Sequence, residues 1–151
     1  MTEKADVLII TVTKVESQEV MSVFLDATKQ GSKPTAIGDR TYHDLGEVTG
    51  THVYMALSEM GSGGLGGTLE SVRKGIDALS PRAVIMVGIA FGVDEQKQTI
   101  GDILVSNQLW LYDLQRIGKT SQGKSKIIPR GDKPHASTWL INRLKSADLY
   151  W

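Results

Sequence analysis

Glu16 is the first residue whose type and place point to chemistry. It follows an apolar run at residues 7–12 (VLIITV) and opens a stretch of helical period. A carboxylate in the first turn of a helix, just past a strand end, stands where an open α/β sheet forms its binding crevice. The same charge also complements the helix dipole, and both readings stand. The second feature is the glycine-rich stretch at residues 58–67 (SEMGSGGLGG), between a strand pattern and a helix pattern. Glycines there let a ligand approach the backbone, and free amides at a helix start favour an anion or a hydroxyl-rich group. Alternatively, the same glycines let the helix pack closely on the sheet.

Three familiar labels fail on this chain. Gly61, Gly63 and Gly66 satisfy G-x-G-x-x-G, but the dinucleotide fold also needs a carboxylate about 20 residues on. That region reads Met86, Val87, Gly88, Ile89. A phosphate-binding P-loop needs lysine after its last glycine, and here Gly67 is followed by Thr68. A nucleophile elbow around Ser62 needs glycine two residues earlier, where Met60 stands. His43, His52 and His135 have no metal-ligand spacing, so no metal or cofactor is expected.

The elements that must position these residues alternate. Residues 7–12 form a continuous β-branched run, the pattern of a strand covered on both faces. Val20, Val23, Phe24 and Ala27 place a helix over residues 16–28, and residues 31–39 read as loop. Alternating stretches at 42–47 and 52–57, joined through Gly50, predict a hairpin. Leu69, Val72, Ile76 and Leu79 predict a helix over 68–79, closed by Ser80 and Pro81. Residues 83–93 are the most hydrophobic run and predict a central buried strand ending in a glycine-containing loop. Further strands are expected at 103–106 and 109–117, and a short helix at 136–145. The order implies an α/β domain in three layers, a central mixed sheet flanked by helices.

The chain has 151 residues, the length of one ordinary domain, and is read as a single domain over 1–151. Seventeen basic residues balance seventeen acidic ones, so no global field steers it to nucleic acid. The basic stretch within residues 118–133 is expected to be a flexible, solvated loop. No apolar run reaches the ~20 residues of a membrane span. There is no cysteine, hence no disulfide framework or thiolate site. A cytoplasmic location is expected.

Three segments taken in order resemble the nucleoside phosphorylase and nucleosidase family, which includes purine and uridine phosphorylases and the methylthioadenosine/adenosylhomocysteine nucleosidases. They are VLIITVTKVESQEV, ALSEMGSGG, and AVIMVGIAFGVD followed by IGDILVSNQLWLYD. The likeness spans about residues 6–117. It implies a nucleoside phosphorylase-like sheet, a nucleoside or nucleotide ligand and a homo-oligomer, with residues 109–114 (Trp110 and Tyr112 among them) as candidate interface surface. Residue by residue, Glu16 matches the glutamate that orients or activates water or holds a ribose hydroxyl. Ser58, Met60 and Gly61 match the loop against the ribose, and Ala90, Phe91 and Gly92 the turn beneath the base.

The departures shape the expected reaction. Phosphate-using relatives carry an arginine and a serine or threonine where Met86 and Ile89 stand, so hydrolysis of an N-glycosidic bond is expected over phosphorolysis. Phe91 replaces a usual glycine and narrows the pocket. The family's later ribose pair and base-protonating aspartate have no counterpart after Ile117, which makes the domain look truncated. Three expectations follow: a nucleosidase acting on a purine nucleoside or related ligand, a nucleoside-binding or signalling module without turnover, or a fragment of a longer enzyme.

Overall fold

The computed structural model describes residues 4–92, 94, 96–109, 115–119, 121–129 and 133–150. Two compact units divide at Ala90 and Phe91. The first holds a five-stranded mixed sheet in the order β2-β3-β4-β1-β5. Its strands are β1 (Val7–Thr11), β2 (Lys33–Ile37), β3 (Arg40–Val48), β4 (Thr51–Leu57) and β5 (Ala83–Met86). Its helices are α1 (Lys14–Thr28) and α2 (Thr68–Leu79). The expected mixed α/β sheet flanked by helices is therefore present.

β1 is the central strand, parallel to β4 on one side and to β5 on the other. Its alternation assigns the two faces. Leu8 and Ile10 enter one cluster with Tyr42, Tyr54 and Leu79, against which Val72 and Ala78 of α2 pack. Ile9 enters the other with Leu45, Val53 and Met55, covered by Val20, Met21 and Phe24 of α1. Leu8, Ile10 and Met55 are wholly buried, and burying such a side chain contributes about 1.5–3 kcal/mol. One helix thus covers each face, as a strand apolar on both faces from Val7 to Ile10 requires.

The hairpin between β3 and β4 turns at Thr49 and Gly50, both at positive φ, the condition of a tight type I′ turn. Within β3 the register shifts between Asp44 and Gly46. Asp44 Oδ1 accepts there from the Gly46 amide at 2.8 Å, and Gly46 sits at φ +87, so the bulge carries its own side-chain tie.

Two expectations for this unit are corrected. Residues 33–37, read as loop, form β2, antiparallel to β3; β2 is an edge strand, where Pro34 is tolerated. The apolar run at 83–93 is not a central strand. Of its described residues only the first four form β5, at the opposite edge, and Met86 is 52% exposed.

The second unit contains β6 (Gln115–Lys119) and β7 (Ser125–Pro129), paired antiparallel, then α3 (Thr138–Ala147) and a short 3-10 turn at Asp148–Tyr150. The basic stretch expected as a loop thus carries β7. Residues 103–106 take no strand conformation, and Ile103, Leu104 and Val105 are exposed; no described strand pairs with them. The interface expected at 109–114 lies largely outside the described residues, of which Leu109 alone is seen, exposed. Arg143 stacks over Trp139, 4.4 Å from the ring centroid. No described helix is long and apolar enough to cross a membrane.

Candidate functional site

Three parallel strands of the first unit end side by side: β4, β1 and β5. Glu16 follows β1, residues 58–61 follow β4, and Gly88, Ile89 and Ala90 follow β5. The carboxyl ends of adjacent parallel strands are where open sheets leave a crevice for a ligand. Ser58 is tied to this edge by its amide, which donates to the Thr11 carbonyl at 2.9 Å.

Glu16 is the hub of the edge. As the third residue of α1 it completes a capping box. Thr13 Oγ1 accepts from the Glu16 amide at 3.2 Å, and Glu16 Oε2 accepts from the Thr13 amide at 2.8 Å. Oε2 also accepts from the Val12 amide at 3.1 Å, and Oε1 from the Ile89 amide at 2.9 Å. Chiefly the Ile89 amide, then that of Thr13, hold the carboxyl far below its ordinary range, at about 2; partial burial opposes them. Gly88 lies so near that a Cβ there would sit 3.2 Å from Glu16 Oε1. The residue before Ile89 must be small for the carboxylate to reach the amide.

The glycine loop is closed upon α2. The Thr68 amide donates to the Gly61 carbonyl at 3.1 Å, and that of Leu69 to the Ser62 carbonyl at 3.3 Å. The Gly66 amide donates to Glu70 Oε2 at 2.6 Å. The amides of Gly66, Gly67, Thr68 and Leu69 are therefore engaged within the chain, and Glu70 fills the anionic place at the helix start with the chain's own carboxylate. Gly61, Gly64 and Gly66 have positive φ, and a Cβ on Gly67 would lie 2.6 Å from the Gly63 carbonyl oxygen. These glycines serve the tight fold of the loop. The close approach of α2 to the sheet is made instead by Gly75, against Leu8.

Of the residues singled out from the sequence, Glu16, Ser58, Met60, Gly61 and Ala90 lie in the first unit, on the loops leaving the three strand ends. Ser58 is buried, and its hydroxyl meets Thr68 Oγ1 at 3.3 Å; it supports the loop. Met60 is 81% exposed and offers its side chain outward. Phe91 and Gly92 belong to the second unit, where Phe91 is 91% exposed and Gly92 packs near Gln98.

One group of charges was not foreseen. Beside the glycine loop an open groove of about 440 Å³ is lined by Arg40, Glu59, Gly66, Glu70 and Lys74 among others. Lys74 Nζ lies 3.0 Å from Glu70 Oε1 and is hydrogen-bonded to Asp39. Asp39 and, to a lesser extent, Glu70 raise the Lys74 ammonium above its usual range. The Gly66 amide and then Lys74 lower Glu70. The Glu70–Lys74 spacing of four residues was legible as a helix pair. Nothing in the sequence linked Arg40 or Asp39 to it.

Among the described residues no group of three or more His, Asp or Glu could hold a metal ion. His52 Nε2 pairs with Asp44 Oδ1 at 2.8 Å, while His135 Nε2 lies 3.4 Å from Gln108 Nε2. No family model matches the chain, and neither a curated protein nor a solved structure matches it.

Proposed function

We propose that the carboxyl edge of the sheet binds a nucleoside, in a nucleoside phosphorylase-like arrangement, and that the chain hydrolyses its N-glycosidic bond. The observation that carries this reading is the Glu16 carboxylate, fixed where β1 and β5 end together, with Oε1 against the Ile89 amide. Fixed, ionised and half-buried, it is suited to accept from a sugar hydroxyl and to stabilise positive charge developing on the sugar ring. In the reaction the bond from the anomeric carbon to the base nitrogen breaks. Water oxygen bonds that carbon and releases one proton to solvent, and the base departs with a proton taken from solvent. A carboxyl held near 2 is a weak base, so Glu16 orients and stabilises rather than deprotonates water. Met86 and Ile89, both apolar and exposed, offer nothing to a phosphate dianion, which favours hydrolysis over phosphorolysis.

The same low basicity favours a second reading, a nucleoside-binding module without turnover. Chromatography of free base released from a nucleoside panel, with and without phosphate, separates the two. Phosphate-independent release that is lost in Glu16→Gln supports hydrolysis. A melting temperature raised by a nucleoside, with no product formed, supports the binding module. Neither release nor a thermal shift would defeat both.

A further inference from the structure

Gly66 is held on both sides of its peptide by α2. Its amide donates to Glu70 Oε2 at 2.6 Å, and its carbonyl accepts from Ser71 Oγ at 3.1 Å and from the Glu59 amide at 2.8 Å. Both of these α2 side chains face one guanidinium. Arg40 Nη1 donates to Ser71 Oγ at 2.8 Å, and Nη2 lies 3.9 Å from Glu70 Oε2. Ser71 is wholly buried, so its hydroxyl has no water to replace a lost partner. Arg40 Nε is itself buried without a hydrogen-bond partner. The contacts to Ser71 and Glu70, rather than solvation of the whole group, therefore set where the guanidinium sits.

We propose that Arg40 is a positioning residue for the glycine loop. From the start of β3 it acts through Ser71 and Glu70 to hold Gly66, and through the closed loop to hold the Met60–Gly61 corner. The consequence for ligand binding rests on the nucleoside reading above; the hold on the loop does not. A planar guanidinium reaches the hydroxyl and the carboxylate through two separate nitrogens, a rigid fork that the single ammonium of lysine lacks. Lysine at this position keeps the charge near Glu70 but removes the guanidinium donor from Ser71 Oγ, which is left with the Gly66 and Gly67 carbonyls alone.

The test is amide hydrogen exchange on the full chain, comparing wild type with Arg40→Met, Arg40→Lys and Ser71→Ala. The expected result is exchange at residues 61–69 accelerated by about tenfold or more in Arg40→Met and less in Arg40→Lys, with β1 and β4 amides unchanged. Ser71→Ala, which also removes the hydroxyl's own bonds to the Gly66 and Gly67 carbonyls, marks the exchange expected when that side of the loop is released, and Arg40→Lys keeps the test open if Arg40→Met fails to fold. Unchanged loop exchange in Arg40→Met, or in Arg40→Lys where Arg40→Met fails to fold, would overturn the proposal whatever Ser71→Ala does. Adenosine titration runs in parallel. If wild type binds adenosine, Arg40→Met should bind about tenfold more weakly, and equal affinity would also overturn it. If wild type binds no nucleoside while the variants loosen the loop, the nucleoside reading falls and the role of Arg40 stands.

Discussion

Glu16 Oε1 and the Ile89 amide meet at 2.9 Å although 73 residues separate them in the chain. One carboxylate thereby caps α1 and fastens the segment leaving β5 to the turn leaving β1. β5 is an edge strand whose hydrogen bonding to β1 ends with the Val87 amide on the Ile10 carbonyl. The Glu16 contact is the next tie along that segment and fixes its course beyond the sheet.

This tie makes stability depend on acid. The folded-state carboxyl sits at about 2 against an ordinary 4.5. A depressed value means the contribution is complete above 4.5 and fades as pH falls from 4.5 toward 2. Glu16→Gln should cost about 1–2 kcal/mol at neutral pH, because its amide keeps a single acceptor oxygen for the capping box and loses the charge and the second acceptor. Melting temperature followed from pH 7 to pH 2, about the range in which a carboxyl titrates, should fall less steeply in the variant. An equally steep acid limb in both proteins would show that other carboxylates govern it.

Gly88→Ala addresses the same contact from the other side. The added methyl would sit 3.2 Å from Glu16 Oε1, close enough to push the carboxylate off the Ile89 amide by a few tenths of an ångström. Global stability should change little, because alanine also restricts the unfolded chain by about 0.4–1 kcal/mol. The Glu16 carboxyl, followed by NMR titration, should move up from about 2. A carboxyl that does not move would mean the edge absorbs the methyl elsewhere.

What the sequence disclosed follows how local each cause is. α1, α2 and the β3–β4 hairpin were legible because apolar period, the Glu16 carboxylate and Gly50 act within a few residues. β2 was not, since Lys33 and Pro34 carry no strand signal and only pairing to β3 makes residues 33–37 extended. The run at 83–93 was misjudged because apolar composition reports expected burial, whereas strand order follows pairing across the whole unit. At the site, Glu16 was visible from its place after β1, but its acceptance from Ile89 was not. The glycine loop was visible as glycines; that Glu70 and the loop carbonyls engage the amides from Gly66 to Leu69 depends on three-dimensional closure. Arg40 stood in a segment with no motif at all.

Gly75 supplies a test of packing away from the site. A Cβ there would overlap Leu8 Cδ2, and Leu8 is wholly buried. In a free helix alanine would gain about 0.5–1 kcal/mol over glycine, but overpacking a core costs about 1–3 kcal/mol. Gly75→Ala should therefore lower stability by about 1–2 kcal/mol in urea unfolding. The loss should shrink in a Leu8→Val background, which removes the overlapping reach, giving non-additivity of about 1 kcal/mol. Strict additivity would mean that α2 lifts away from β1 as a body.

The two roles open to Glu16 make opposite demands on pH. A general base must lose its proton across the working range, so activity would fall on an acid limb near the base's own value. A carboxyl fixed at about 2 by the amides of Ile89, Thr13 and Val12 is already charged far below that range. Adenosine affinity, and any base release, should then show no limb from Glu16 between about pH 5 and 8, where an ordinary catalytic carboxyl or histidine titrates. Glu16→Gln should weaken binding at every pH in that window by a similar factor, about tenfold for one charged hydrogen bond. A wild-type limb near pH 6 that vanishes in Glu16→Gln would require a proton-accepting Glu16. The carboxylate would then have to leave the Ile89 amide when ligand binds, and the Gly88→Ala protein, in which that bond is already weakened, should turn over faster than wild type.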